Sequence, residues 1–172
     1  MTAEAVSRTC FFADYDASAT ANAVKEPRAC VMDWLFEDAE IDWAELSELY
    51  RIAPLGDKSA DHLRRAFANS MFKCFVLENG ALVGAGRAVA DGVDCSYLCD
   101  IVVHPDYQGQ GLGQALVRKL TEVSAGHGKI ILYANPGKEG FYRKLGFRRM
   151  LTAMARFADE DRAIRRGLVE DS

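Results

Sequence analysis

The chain has 172 residues, the length of one ordinary domain, with 49% hydrophobic and 27% charged residues. Its formal net charge is −4 and it carries no basic stripe interleaved with aromatic residues, which argues against direct binding of nucleic acid. No apolar run approaches the ~18 residues of a membrane-spanning helix and no secretory leader opens the chain, so we expect a cytoplasmic protein without a membrane partner.

The cysteines and histidines show no spacing that is typical of a metal site. There are five cysteines and three histidines, without a CxxC pair or a repeated interval. The odd cysteine count favours reduced thiols over a disulfide framework. Cys95 and Cys99 leave a redox or metal-binding role open, but no histidine stands near them in a zinc-like spacing. The sequence therefore predicts no metal.

The first part of the chain combines an extension, a strand and two helices. Residues 1–28, rich in Ala, Ser, Thr and Asp, are interpreted as an N-terminal extension, and residues 30–36 as a first strand. Asp42 is expected to cap a helix whose apolar residues repeat every three to four positions, and Ser59 to cap a second.

Three strand patterns follow. Residues 72–77 and 82–89 flank Asn79-Gly80, a dipeptide that strongly indicates a β-hairpin. Residues 96–103 form the third strand pattern, which ends immediately before a glycine-rich loop and a helix.

The last part returns to a strand pattern of the buried type. Residues 130–133 predict this strand, and a short helix and a final strand over residues 148–157 follow it. Residues 158–172 are charged on all sides and are expected to form a peripheral helix or a frayed tail. The order of elements favours an α+β domain around one mixed sheet, covering residues 29–157.

The glycine-rich loop is the most informative segment. Gly109, Gly111 and Gly113 lack the Cβ atoms that keep an anion from the backbone, and the following helix offers free N–H groups and the positive end of its dipole. The loop is therefore predicted to bind phosphate or pyrophosphate. Its letters fit neither a Walker loop, which needs a lysine before a hydroxyl, nor the dinucleotide fingerprint, in which the third glycine comes one residue later.

Two motifs, in this order, resemble those of the GNAT superfamily of N-acetyltransferases. Gln108, Gly111 and Gly113 match the pattern Gln/Arg-x-x-Gly-x-Gly/Ala. Asn135 precedes Tyr142 by seven residues, and Leu-Gly-Phe follows. The resemblance implies a GNAT-like fold, with a mixed, mostly antiparallel central sheet that is flanked by helices and splayed at the acetyl-CoA site. The front half looks like a small-amine branch that includes plant serotonin-type enzymes.

The resemblance also implies which residues bind acetyl-CoA. The strand before the loop would bind the pantetheine arm through its backbone, and the loop would wrap the pyrophosphate. An asparagine and a tyrosine of the second motif would contact the donor, although the asparagine could instead bond a neighbouring loop. The implied set is Ile101, Val102, Val103, Gln108, Gly109, Gln110, Gly111, Leu112, Gly113, Gln114, Asn135 and Tyr142.

Two side chains are candidates for proton transfer. Tyr142 would donate a proton to the departing thiolate, since a phenol with a pKa of about 10 is close to a thiol with a pKa of about 8.5; alternatively it only packs its helix. Asp100 is the candidate base, although its carboxylate could instead hold a loop by hydrogen bonds. A backbone N–H at Val102 or Val103 would stabilise the oxyanion. His104 is interpreted as a strand-end residue.

The resemblance implies an N-acetyltransferase that moves an acetyl group from acetyl-CoA to a primary amine of a small molecule, by direct attack in a ternary complex. Another acyl-CoA or a carrier-protein donor, a protein or peptide acceptor, and a regulatory CoA-binding module stay open. A homodimer also stays open, because such relatives are often dimers. Arg64 and Arg65 could meet an acidic acceptor, but a solvated helix face is the simpler interpretation.

Overall fold

The computed structural model describes residues 32–171, which form one five-stranded sheet with helices on both faces. The strands are β1 Met32–Leu35, β2 Phe72–Glu78, β3 Ala81–Ala90, β4 Cys95–Val103 and β5 Lys129–Ile131. The helices are α1 Trp43–Ile52, α2 Ala60–Ala68, α3 Leu112–Val123, α4 Glu139–Arg143 and α5 Glu160–Arg165. The strands lie in chain order, antiparallel from β1 to β4 and parallel between β4 and β5. The predicted α+β fold with a mixed, mostly antiparallel sheet is confirmed.

The local signals for helix starts and for the hairpin are confirmed. The side chain of Asp42 accepts a hydrogen bond from the N–H of Ala44 at 2.8 Å, and the hydroxyl of Ser59 caps α2 in the same way. A cap of this kind stabilises a helix by about 1 kcal/mol. Asn79 and Gly80 have φ angles of 51° and 84°, as the two-residue turn between β2 and β3 requires.

Two hydrophobic cores lie on opposite faces of the sheet. Helices α1 and α2 cover the first face, where the rings of Phe67 and Phe75 stack with centroids 5.0 Å apart and Trp43 packs against both. Tyr50 is fully buried in this core. Helix α3 covers the second face through a stripe of buried apolar side chains: Leu112, Leu116, Val117 and Leu120. Trp43 and Tyr50 therefore pack against the sheet.

The final strand predicted over residues 148–157 is wrong. This segment contains neither strand nor helix, and Leu151 and Met154 are 90% and 95% exposed. A strand is stable at a sheet edge only if it pairs and buries one face, and these side chains bury almost nothing. The strand expected over 130–133 is also displaced, because β5 ends at Ile131.

The chain termini lie partly outside the described residues. The proposed extension over residues 1–28 and the start of the first predicted strand are not within the described range, and β1 ends at Leu35. The charged tail contains α5, whose Ala163 is 2% exposed. Of the helices between residues 32 and 171, even α3, the longest with 12 residues, is too short and too polar to cross a bilayer.

Candidate active site

β4 and β5 diverge midway along the sheet, and the opening between them beyond Tyr97 and Ile131 is called the fork below. Their parallel pairing runs only from Cys95, opposite Lys129, to Tyr97, opposite Ile131. β4 then continues to Val103 with β3 as its only strand neighbour in the described chain. The rings of Tyr97 and Tyr133 stack at this fork, 5.9 Å between centroids. The fork therefore leaves one side of the end of β4 open to an extended ligand, which can bind as an added strand does.

A β-bulge shapes the open part of β4. Asp100 and Ile101 together stand opposite the single residue Gly86 of β3. Asp100 has a φ of 56°, in the left-handed region that aspartate tolerates better than most residues. A Cβ on Gly86 would lie 2.8 Å from Cδ1 of Ile101, so glycine provides the room that the bulge needs. The bulge re-aims the backbone of β4 just before Val102 and Val103.

Three side chains hold Asp100 in this conformation. Arg87 Nε donates to one carboxylate oxygen at 2.6 Å, and Lys58 Nζ pairs with the other. The buried hydroxyl of Tyr50 donates to the Asp100 carbonyl oxygen at 2.7 Å. Burial alone would raise the pKa of Asp100, but the hydrogen bond and charge of Lys58 and the charge of Arg87 outweigh it and lower the pKa. The carboxylate is therefore ionised and fixed, which suits a positioning role; its use as a base stays a prediction.

Sequence reasoning did not identify these three partners of Asp100. They lie 50, 42 and 13 residues from it along the chain, for Tyr50, Lys58 and Arg87 respectively. One signal was present: Arg87 is a charged residue in the middle of an otherwise apolar strand. A charge in such a place is rarely buried without a partner.

The glycine-rich loop presents open backbone at the start of α3. Gly109 and Gly111 have φ angles of 76° and 90°, and a Cβ on either would meet nothing within 4 Å. Gly111 precedes α3 and makes no side-chain cap, and the first turn of α3 contains no acidic residue. Gln108 Nε2 ties the loop to β4 by donating to the Val103 carbonyl at 3.0 Å, and Gln110 Nε2 donates to the Asp106 carbonyl at 2.7 Å.

This geometry fits an anion with two phosphate groups. The first N–H groups of a helix have no intrahelical partner, and here no side chain in the described part of the chain bonds to them at the cap. Gly113 lies in the first turn, where a Cβ would be 3.6 Å from both the Phe141 ring and Val103. Leu112 is buried beneath the turn and Gln114 is half-buried. The start of α3 therefore adjoins both the end of β4 and helix α4.

Tyr142 lies in α4 beside this junction. Its ring packs against Phe141 at 4.9 Å and Phe147 at 6.1 Å between centroids. Its hydroxyl makes no hydrogen bond to any residue between 32 and 171. Burial raises the pKa of Tyr142, so the hydroxyl keeps its proton at neutral pH. Asn135 is half-buried between β5 and α4, and its carbonyl accepts the Lys138 N–H at 3.0 Å.

The remaining reactive side chains have structural environments. Burial raises the pKa of the Cys74 thiol to about 12. Burial also raises the pKa of Cys99, despite the nearby charge of Arg87. Both thiols are therefore protonated. His104 follows β4, as predicted, and its Nδ1 accepts the Asp106 N–H at 3.3 Å. The described part of the chain contains no group of three or more His, Cys, Asp or Glu side chains that could hold a metal ion.

Two openings lie on the α1–α2 side of the sheet. The larger, with a volume of about 660 Å³, separates α2 from β3 and is lined by Ser59, Asp61, His62, Arg65, Ala66, Asn69, Arg87 and Val89. The smaller, of about 310 Å³, is lined by Ser47, Glu48, Arg51, Asp57, Lys58 and Ser59. Arg87 lines the first and Lys58 the second, so each opening reaches a partner of Asp100.

Comparisons with known proteins agree with this geometry. A model of the acetyltransferase (GNAT) family matches residues 30–147. Serotonin N-acetyltransferase 2, chloroplastic, of Oryza sativa subsp. japonica is 38% identical over 115 residues, which are 62% of this chain and 56% of that protein. Histone acetyltransferase TAP1 of Glycine max is 43% identical over 72 residues, 41% of this chain and 31% of that protein. The matches thus span about half, or less, of these relatives.

Solved structures share the fold at low sequence identity. An acetyltransferase-like protein from Deinococcus radiodurans R1 superimposes with a TM-score of 0.67 and 19% identity, over 77% of this chain and 92% of that one. Aminoglycoside N-acetyltransferase AAC(6')-Iy, solved in complex with CoA, gives a TM-score of 0.58 and 17% identity, over 76% of this chain and 97% of that one. At these identities the likeness shows the fold.

Proposed function

Since this chain belongs to the GNAT acetyltransferase family, we propose that it transfers the acetyl group of acetyl-CoA to a primary amine of a small molecule, by direct attack in a ternary complex. That the protein is an acyltransferase follows from the family. The donor and the acceptor are our proposal. One observation carries it: the bulged end of β4, which β5 leaves open on one side, lies beside the uncapped start of α3.

The donor would bind along β4 and the start of α3. Backbone groups of residues 101–103 would hold the pantetheine arm at the fork, since β5 no longer pairs with that side of β4 there. The loop of residues 108–114 would bind the pyrophosphate through the N–H groups that follow Gln108, whose own N–H donates to the Pro105 carbonyl. The dipole of α3 also favours the negative charge. Asn135 would contact the arm from the opposite side. Acetyl-CoA supplies the thioester that is cleaved.

The protein's groups would then assist the transfer. The amine nitrogen forms a bond to the thioester carbonyl carbon, and the carbonyl oxygen becomes negative. A backbone N–H at Val102 or Val103, aimed by the bulge, stabilises this oxyanion. As the C–S bond breaks, the hydroxyl of Tyr142 donates its proton to the sulfur. The nitrogen loses one proton to water, and Tyr142 regains one from water, so the products are the amide and the CoA thiol.

The acceptor class is supported by the size of the larger opening. Its volume is about 660 Å³, within the range of small-molecule sites. The relative named for serotonin also matches a larger share of this chain than the one named for histones, 62% against 41%. A lysine-containing peptide is therefore the comparison acceptor in the test, and its preferential acetylation would replace the small amine in the proposal.

The test combines CoA binding with turnover. Calorimetric titration measures the dissociation constant for CoA, and thiol release measures the rate with acetyl-CoA and a panel of amines. We expect Tyr142→Phe to lower kcat by about 100-fold, the lower end of the effect of general acids, with the CoA dissociation constant changed less than about twofold. An unchanged kcat would remove Tyr142 from the mechanism, and absent CoA binding would overturn the whole proposal.

A further inference from the structure

We infer that the groove between α2 and β3 holds the acceptor, and that this acceptor carries an anionic group, a carboxylate or a phosphate, in addition to its amine. The inference rests on the proposed function and specifies its substrate class. An anionic acceptor is not what the overall charge of the protein suggests, because a chain of net charge −4 would attract cations in general.

The groove has an excess of positive charge. Two guanidinium groups line it, those of Arg65 and Arg87. Among the described residues that line the groove, Asp61 is the one carboxylate, and it already accepts a hydrogen bond from Arg64 at 3.1 Å. The local charge therefore has the opposite sign to that of the whole chain, and a ligand anion would meet no unpaired carboxylate in the lining.

Arg65 is available to such a ligand. Its side chain is exposed and forms no hydrogen bond or ion pair with residues 32–171. Its neighbour Arg64 is engaged with Asp61 and does not line the groove. Ser59 and Asn69 add polar groups to the same wall as Arg65. An arginine with free donors beside such groups is a common receptor for carboxylate and phosphate.

Arg87 connects the groove to the bulge. Its guanidinium has five N–H donors. Nε donates to Asp100 and Nη1 donates to the Ser70 hydroxyl at 3.0 Å, while Nη2 makes no hydrogen bond within the described chain. An anion bound between Arg65 and the free edge of Arg87 would therefore sit one side chain away from the bulge of β4. The inference therefore places the acceptor's amine on the side of Arg87 that faces the bulge of β4.

The experiment compares acceptors that differ only in the acidic group. Phenylalanine is paired with phenethylamine, and O-phosphoethanolamine with ethanolamine, so the two pairs separate a carboxylate from a phosphate. Thiol release is measured at saturating acetyl-CoA. We expect the acid-bearing member of at least one pair to have a kcat/KM at least about tenfold higher, the factor that one charge-assisted hydrogen bond provides.

Variants of adjacent arginines supply the control. Arg65→Ala should raise KM for the acid-bearing acceptor about tenfold with little change in kcat, and Arg65→Lys should restore part of the loss. Arg64→Ala, at the adjacent position of the same helix, removes no donor from the groove but frees the exposed Asp61 carboxylate, so it should raise KM only about twofold. Equal effects of the two alanine variants would overturn the inference.

The outcomes separate this inference from the proposed function. If the protein binds CoA but acetylates only amines without an acidic group, or only a lysine-rich peptide, the proposed function stands and the anion site is refuted. A CoA-loaded protein that neither binds phenylalanine or O-phosphoethanolamine in calorimetry nor acetylates them also overturns the inference. Loss of CoA binding itself would refute the function on which the inference rests.

Discussion

Replacing Tyr50 with Phe tests how the bulge of β4 is held. The Tyr50 hydroxyl donates to the Asp100 carbonyl at 2.7 Å, and the side chain is fully buried, so the variant leaves that carbonyl without this partner. An unsatisfied buried acceptor costs about 1–3 kcal/mol of the free energy of unfolding. Since 1 kcal/mol shifts the Tm of a domain of this size by about 2–4 °C, a central loss of about 2 kcal/mol predicts a fall of about 4–8 °C.

Differential scanning calorimetry measures this fall, and Tyr142→Phe is the matched control. It removes the same atom from a hydroxyl that has no partner among residues 32–171, so its free energy of unfolding should change by less than about 0.5 kcal/mol. The effects of the two variants on kcat should have the opposite order, with Tyr142→Phe causing the larger loss. A Tm for Tyr50→Phe within about 1 °C of the unaltered protein would refute the role given to this hydrogen bond.

Two further substitutions test the donor loop and the buried carboxylate. Gly111→Ala places a Cβ at a φ of 90°, which costs about 1–2 kcal/mol, so the dissociation constant for CoA should rise about tenfold in calorimetry. Gly126→Ala is the control, because Gly126 lies in open space and has no positive φ. Equal dissociation constants for the two variants would contradict the role of the loop. The pKa of Asp100 is lowered on folding, so its stabilisation is present above the ordinary value of 3.8 and is lost as pH falls through the folded value. Urea unfolding of Asp100→Asn at neutral pH should therefore give a free energy of unfolding about 3 kcal/mol below that of the unaltered protein, and this difference should shrink in acid. A difference that does not depend on pH would exclude the ion pairs as its cause.

Features that depend on neighbouring residues were predictable from the sequence. The caps at Asp42 and Ser59 and the turn at Asn79-Gly80 need only the backbone preferences of a few consecutive residues. The open loop around Gly111 follows in the same way, since its conformation is favourable only for glycine. For these elements the local chemistry and the observed structure agree.

Features that depend on distant residues were not predictable. The spacing in the chain does not indicate that Lys58 and Arg87 both pair with Asp100, because the fold brings them together across a loop and a strand. The strand expected over residues 148–157 failed for a related reason. Its apolar letters fit a strand, but pairing requires a partner edge, and Leu151 and Met154 remain in solvent.

The bulge would couple the proposed acceptor site to the geometry of transfer. Lys58 belongs to the segment that joins α1 to α2 and contributes to the smaller opening, yet its ammonium group also neutralises Asp100. A chimera that imports this segment from a relative would replace that counter-ion along with Ser59, which lines the groove proposed for the acceptor. Selectivity and rate would then change together, so loop grafting in this scaffold must transplant the lysine and the aspartate as one unit.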